Sequence, residues 1–156
     1  MSPLGWLLGF VLPGCATAGA ARLPPRPDLS QLRRPSAPNN ALAGPASFSP
    51  PPDIVTPVYP VATERLHAIV RDVAGRQPRT AALEETPPQL SWVQRSALFN
   101  FPDMITARPE PAGAGASTLI LYSESVYGRY DFGVNHRRLR TWLSAISNAL
   151  QQPPGK

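Results

Sequence analysis

Residues 119–143 read LILYSESVYGRYDFGVNHRRLRTWL, and this stretch sets the architecture. Leu119, Ile120, Leu121 and Tyr122 are apolar at successive positions, so both faces of the segment want burial. That predicts a central strand over 117–125. Gly128 and Gly133 punctuate the polar run that follows, as a turn requires. From about 135 to 150 the pattern changes period. Leu139, Trp142, Leu143, Ile146 and Leu150 form one stripe at helical spacing, and Pro153 and Pro154 end it. The stretch is therefore a strand-to-helix corner, and it carries most of the informative polar residues.

Upstream, weaker patterns complete the domain. Residues 63–74 predict a first helix, with Leu66, Ile69, Val70 and Val73 on one face, Thr63 as N-cap and Gly75 at the C-terminus. Strands are predicted over 79–84, 89–95 and 104–108, and 110–116 (EPAGAGA) reads as a turn. Residues 53–60 (DIVTPVYP) read as an edge segment, because Pro57 and Pro60 cannot donate to a ladder. Helix, four strands, helix predicts an α+β, two-layer domain: an antiparallel sheet of about four strands with two helices packed on one face. Its second face is expected to stay open, and aromatic side chains there would be a contact surface.

The N-terminal third differs in composition. Thirteen of the 21 prolines fall in the first 60 residues. Residues 16–52 show neither helical nor alternating apolar spacing, and they read as a Pro/Ala-rich disordered linker. Residues 4–12 (LGWLLGFVL) are too short to span a bilayer but suffice for the apolar core of an export signal. Leu12-Pro13-Gly14-Cys15 resembles the lipobox of bacterial lipoproteins, which implies a lipid on Cys15. Cleavage near Ala18-Gly19-Ala20 and an uncleaved tether are the alternatives. The expected organisation is a signal-like segment over 1–15, the linker over 16–52 and the α+β domain over 53–152. The location that follows is the bacterial cell envelope, membrane-anchored and facing the periplasm.

Charge and ligand-forming residues narrow the function classes. The formal net charge is +5, yet 53–156 holds eleven basic against nine acidic side chains, with no run of about five or more like charges. A nucleic-acid partner is not expected, because its footprint is a basic stripe on the fold. Cys15 is the single cysteine, and it makes no metal-ligand spacing with His67 and His136. No metal and no cofactor are expected.

The corner itself carries a family resemblance. Ser123, Ser125, Gly128, Asp131, Gly133, Asn135, Arg137 and Arg138 are similar to a signature of the bacterial domain-of-unknown-function family 1499: Ser-x-Ser, Gly, Asp-x-Gly-x-Asn and a basic pair. Asp53-Ile54, Pro57-Val58 and 95–103 (RSALFNFPD) look similar as well, so the resemblance covers about 38–150. It implies kinship and no biochemical activity.

Read by their chemistry, the same residues allow three roles. In the structural reading, Asp131 or Glu124 pairs with Arg138 or Arg129 and locks strand to helix, while Asn135 caps the helix or is buried with hydrogen bonds. In the binding reading, Arg129, Arg137 and Arg138 surround a helix N-terminus and hold a phosphate or carboxylate. In the catalytic reading, Ser125 (or Ser123), His136 and Asp131 serve as nucleophile, base and orienter of a small envelope hydrolase. No Gly-x-Ser-x-Gly elbow supports the last, and Glu124 with Asp131 as an acid–base pair is no better supported. The function that follows is a non-catalytic binding or scaffolding module. Its expected partners are a membrane, through the N-terminal lipid or anchor, and an unknown protein or small anionic ligand.

Overall fold

The computed structural model describes residues 23–85 and 87–151. Six strands form one open sheet: β1 (Asn40–Gly44), β2 (Ile54–Val55), β3 (Thr80–Glu84), β4 (Leu90–Arg95), β5 (Pro102–Pro111) and β6 (Ser117–Ser125). Their order across the sheet is β2-β1-β6-β5-β4-β3. Only the short β1–β2 pair is parallel. The helices are α1 (Thr63–Gly75) and α2 (Val134–Gln151). Both pack on one face, so the fold is α+β with two layers.

Strand alternation sorts the core. Leu119 and Leu121 of β6 point to the helices, beside Ile105, Ala107, Leu90 and Trp92. Against them α1 sets Leu66, Ile69, Val70 and Val73, and α2 sets Leu139, Trp142 and Ile146. Trp92 and Trp142 meet edge to face with ring centroids 5.6 Å apart, a favoured aromatic geometry. Trp92 thus belongs to the helix side. Ile120 and Tyr122, one residue out of phase, face the other side with Leu42.

That second face is not open, and the reading of 16–52 as disordered linker is corrected over the residues described. Leu29 and Leu32, around the 3₁₀ turn Leu29–Gln31, lie on Leu42, Ile120 and Tyr122, and Phe48 packs beside them. Residues 40–44 are β1 itself, paired antiparallel with β6. Polar anchors fix the strap: Gln89 donates to the Pro27 carbonyl at 2.8 Å, and Arg34 pairs with Asp53 at 2.7 Å. The sheet has six strands rather than four because NALAG (40–44) has only small side chains and one Leu. Its burial comes from β6, not from its own composition. The domain therefore starts well before Asp53. The expected signal segment and Cys15 lie outside the described residues.

Smaller boundaries shift too. Ala62, not Thr63, precedes α1, and it supplies no side-chain cap. The strand expected over 104–108 extends to Pro102–Pro111, because β6 pairs with it along its whole length.

Candidate functional site

At the corner, β6 ends in Ser123 and Ser125, both on the helix side, and a loop over 126–133 leads into α2. Asp131 organises the turn. Its backbone carbonyl accepts from Val134 N–H at 3.0 Å, closing a four-residue turn with Phe132 (φ 53°) and Gly133 (φ 75°) at its centre. Two positive φ values make this the mirror-image type I turn. Its carboxylate accepts from Gly133 N–H at 2.8 Å, Asn135 N–H at 2.9 Å and the Asn135 amide at 2.8 Å. Asp131 is thus the cap of α2, and a carboxylate there also favours the helix dipole.

Asn135, fully buried in the first turn of α2, is the hub. Its amide donates to the Asn39 carbonyl at 2.9 Å and to Ser125 Oγ at 3.0 Å. Its carbonyl accepts from Ser123 Oγ and from Arg138, each at 2.6 Å. Arg138 completes the network. Its guanidinium donates to Gln94 of β4, Asp103 of β5, Ser123 of β6 and Asn135 of its own helix. The Arg138 and Asp103 side chains are each only 8% exposed. Such a dry pair is held by its additional hydrogen bonds, and removing one partner strands a buried charge. Five elements or their flanks (Asn39 before β1, then β4, β5, β6 and α2) are tied at one point.

The structural reading thus has other partners than those expected. Arg138 pairs with Asp103, not with Asp131 or Glu124. Glu124 faces the opposite side of the sheet, where it accepts from the Tyr122 hydroxyl at 3.0 Å. Burial pushes its carboxyl upward, and the Tyr122 hydrogen bond partly opposes that.

The geometry does not assemble the catalytic set Ser125, His136 and Asp131. Both serine hydroxyls are engaged by Asn135, both Asp131 oxygens are taken by the turn, and His136 makes no hydrogen bond to any of them. His136 lines a shallow cleft of about 600 Å³ with Arg34, Asn40, Asp53 and Asp131, and neither Ser123 nor Ser125 lines it. The three arginines of the anion reading also part company. Arg138 turns inward. Arg137 lies outward over Gly133, donating to the Phe132 carbonyl at 2.9 Å. Arg129 is exposed in the loop. The anion at the helix start is the chain's own Asp131.

His67 lines a larger concavity of about 730 Å³ between α1 and the β3–β4 turn, with Glu64, Arg71, Glu85 and Arg108. Burial lowers its imidazole basicity, Glu64 counters that, and Arg71 reinforces it. No group of His, Cys, Asp and Glu among the described residues is placed to hold a metal ion.

A different surface stands out a few residues from the hub. The β4–β5 loop exposes Leu98, Phe99 and Phe101, and the β6–α2 loop exposes Tyr127, Tyr130 and Phe132. The loops touch. Phe99 stacks on Phe101 at 5.5 Å, Phe101 meets Tyr127 at 6.3 Å, and Val126 N–H donates to the Pro102 carbonyl. Phe132 is 89% exposed and Leu98 81%. Among the described residues, the three non-glycine positions with positive φ, Arg79, Asn100 and Phe132, lie at this end of the sheet. In the sequence Phe99 and Phe101 lie within 95–103, which carried a family resemblance and no predicted contact role. The available signal was that 96–102 (SALFNFP) is rich in large apolar residues and carries no charge.

The model of a family described as "Protein of unknown function (DUF1499)" matches residues 30–146. No curated protein sequence matches the chain. Among solved structures, TTHA0849 from Thermus thermophilus aligns at 10% identity over 71% of this chain and 93% of its own, with a TM-score of 0.33. That score supports no argument about fold or function.

Proposed function

The chain belongs to the DUF1499 family, and from that premise we propose a non-catalytic binding module that docks through the aromatic tip on its β4–β5 and β6–α2 loops. The observation that carries this reading is Phe132. A bulky side chain at φ 53° is strained, and the centre of such a turn favours Asn or Gly. A ring so exposed gains nothing from the fold in return. Strain kept without a packing reason points to use. The residues shared with the family signature act in support: Ser123, Ser125, Asp131, Asn135 and Arg138 hold the corner from which the tip projects. Their engaged hydroxyls and carboxylates favour this reading over the hydrolase.

The proposal includes export and anchoring at the bacterial envelope, with the lipid on Cys15. It rests on the sequence of residues 4–15 alone. No helix among the described residues is long and apolar enough to cross a membrane. Mass spectrometry of the native N-terminus tests the anchor. A diacylated Cys15 is expected, and an unmodified Met1 would remove it.

The docking surface is tested with a photo-activated phenylalanine analogue at position 99 in intact cells, and at Ala114 in the β5–β6 turn as control. A discrete adduct from position 99 but not from 114 supports the reading. Equal yields, or none from position 99, would sink it.

A further inference from the structure

We infer that the occupant of the tip is the surface of an anionic phospholipid bilayer, which rests on the reading of the tip as the docking surface. The first observation is shape. The apolar side chains stand on two adjacent loop ends rather than lining a groove. A protruding set of Phe, Tyr and Leu suits the headgroup boundary, where aromatic rings with a polar rim are favoured.

The second observation is charge. Arg79, Arg95 and Arg137 line one shallow groove of about 400 Å³ beside the tip, and Arg129 projects from the same loop as Tyr127 and Tyr130. Arg79, Arg129 and Arg137 form no ion pair among the described residues. The two tip loops carry one carboxylate, Asp131, which the α2 cap consumes. By contrast the opposite end, near the β3–β4 turn, mixes signs: Glu64, Glu84, Glu85 and Glu110 stand with Arg26, Arg71 and Arg108, and Arg26–Glu84 and Arg108–Glu110 are ion pairs. A molecule whose cations without carboxylate partners collect at one end turns that end toward a negative surface. Guanidinium groups then meet lipid phosphates while the rings enter the interface.

The backbone supplies the third observation. Arg137 donates to the Phe132 carbonyl, so one of the headgroup-seeking arginines also holds the exposed ring in position.

The test uses the full chain with Cys15→Ser, so that one introduced cysteine carries a nitroxide. The label is placed at Phe132→Cys or, as control, at Ala114→Cys. With phosphatidylglycerol-containing vesicles, the label at 132 should gain oxygen contact and lose contact with an aqueous relaxation agent. The label at 114 should stay aqueous, which separates tip insertion from any insertion of residues 4–12. Pure phosphatidylcholine vesicles should leave both labels aqueous. Arg129→Gln should weaken phosphatidylglycerol binding about fivefold, in line with one lost basic contact near an anionic surface. An aqueous label at 132 on phosphatidylglycerol would overturn the inference, as would equal insertion into phosphatidylcholine or insertion at both positions. If that failure comes with a protein adduct from position 99 in cells, the occupant is a protein and the docking reading stands. If both fail, both fall.

Discussion

Asn135 and Phe132 are three positions apart, yet the chain treats them in opposite ways. Asn135 is polar and fully buried, and its side chain satisfies partners on β6 and just before β1. Phe132 is apolar, exposed and strained, and its side chain touches none of the core. Folding alone would favour the reverse placement of such residues. The difference separates two jobs within one loop: the buried cluster sets where the corner sits, and the tip spends some of that stability on exposed rings.

The sharpest way to break this contrast is at the buried charge. Arg138→Ala leaves Asp103 uncompensated and should cost about 3–5 kcal/mol in chemical denaturation. The double variant with Asp103→Ala should cost less than the two singles added. A cost for Arg138→Ala near that of a surface residue would mean the cluster is not dry. Next, Asn135→Ala removes the hub and should cost roughly 2 kcal/mol, because Ser123, Ser125 and the Asn39 carbonyl lose a buried partner. Thermal melts of the same variant should still show a single transition.

Smaller effects probe the tip. Phe132→Asn should stabilise the domain by about 1 kcal/mol, since Asn accepts the left-handed conformation that Phe resists. A melting temperature that falls instead would show Phe132 to be a packing residue, and the proposed docking role would lose its main support. Phe99→Ser with Phe101→Ser should change stability by less than roughly 0.5 kcal/mol, as exposed positions do, while abolishing the position-132 response to phosphatidylglycerol vesicles.

Acid tests the far side of the sheet. Glu124 has its folded pKa raised by burial, so the folded state binds its proton more tightly than the unfolded one. The burden on stability is present above the folded pKa and is relieved as pH falls through it. Glu124→Gln should therefore gain stability relative to the parent at neutral pH, and that gain should shrink in acid.

The sequence pattern made parts of this plain because they are local. The α2 stripe, the two-faced apolar run of β6 and the turn chemistry of Asp131, Gly133 and Asn135 lie in neighbouring residues, and spacing suffices to read them. Asp103 is the contrary case. It is 35 positions from Arg138, and no local rule selects it over Asp131 or Glu124, which are closer in sequence. Glu124 was excluded only once the pleat set it on the opposite face from Ser123 and Ser125. The strap failed for a related reason. Leu29, Leu32, Leu42 and Phe48 are too widely spaced to show a period, and each packs on a residue contributed from elsewhere. The tip was readable as composition but not as function, because exposure depends on which loops the sheet brings side by side.

The pairing of β1 with β6 has one more consequence, concerning association. Residues 118–122 (TLILY) form a short run of high β propensity, without charge or proline, of the kind that seeds intermolecular sheets. With β1 in place that run is an interior strand; without it, β6 becomes an open edge bearing the stickiest segment of the chain. The Pro-rich strap, so linker-like in composition, thus works as a guard against self-templating. A fragment beginning at Asp53 should scatter light as soluble aggregates where the full chain does not.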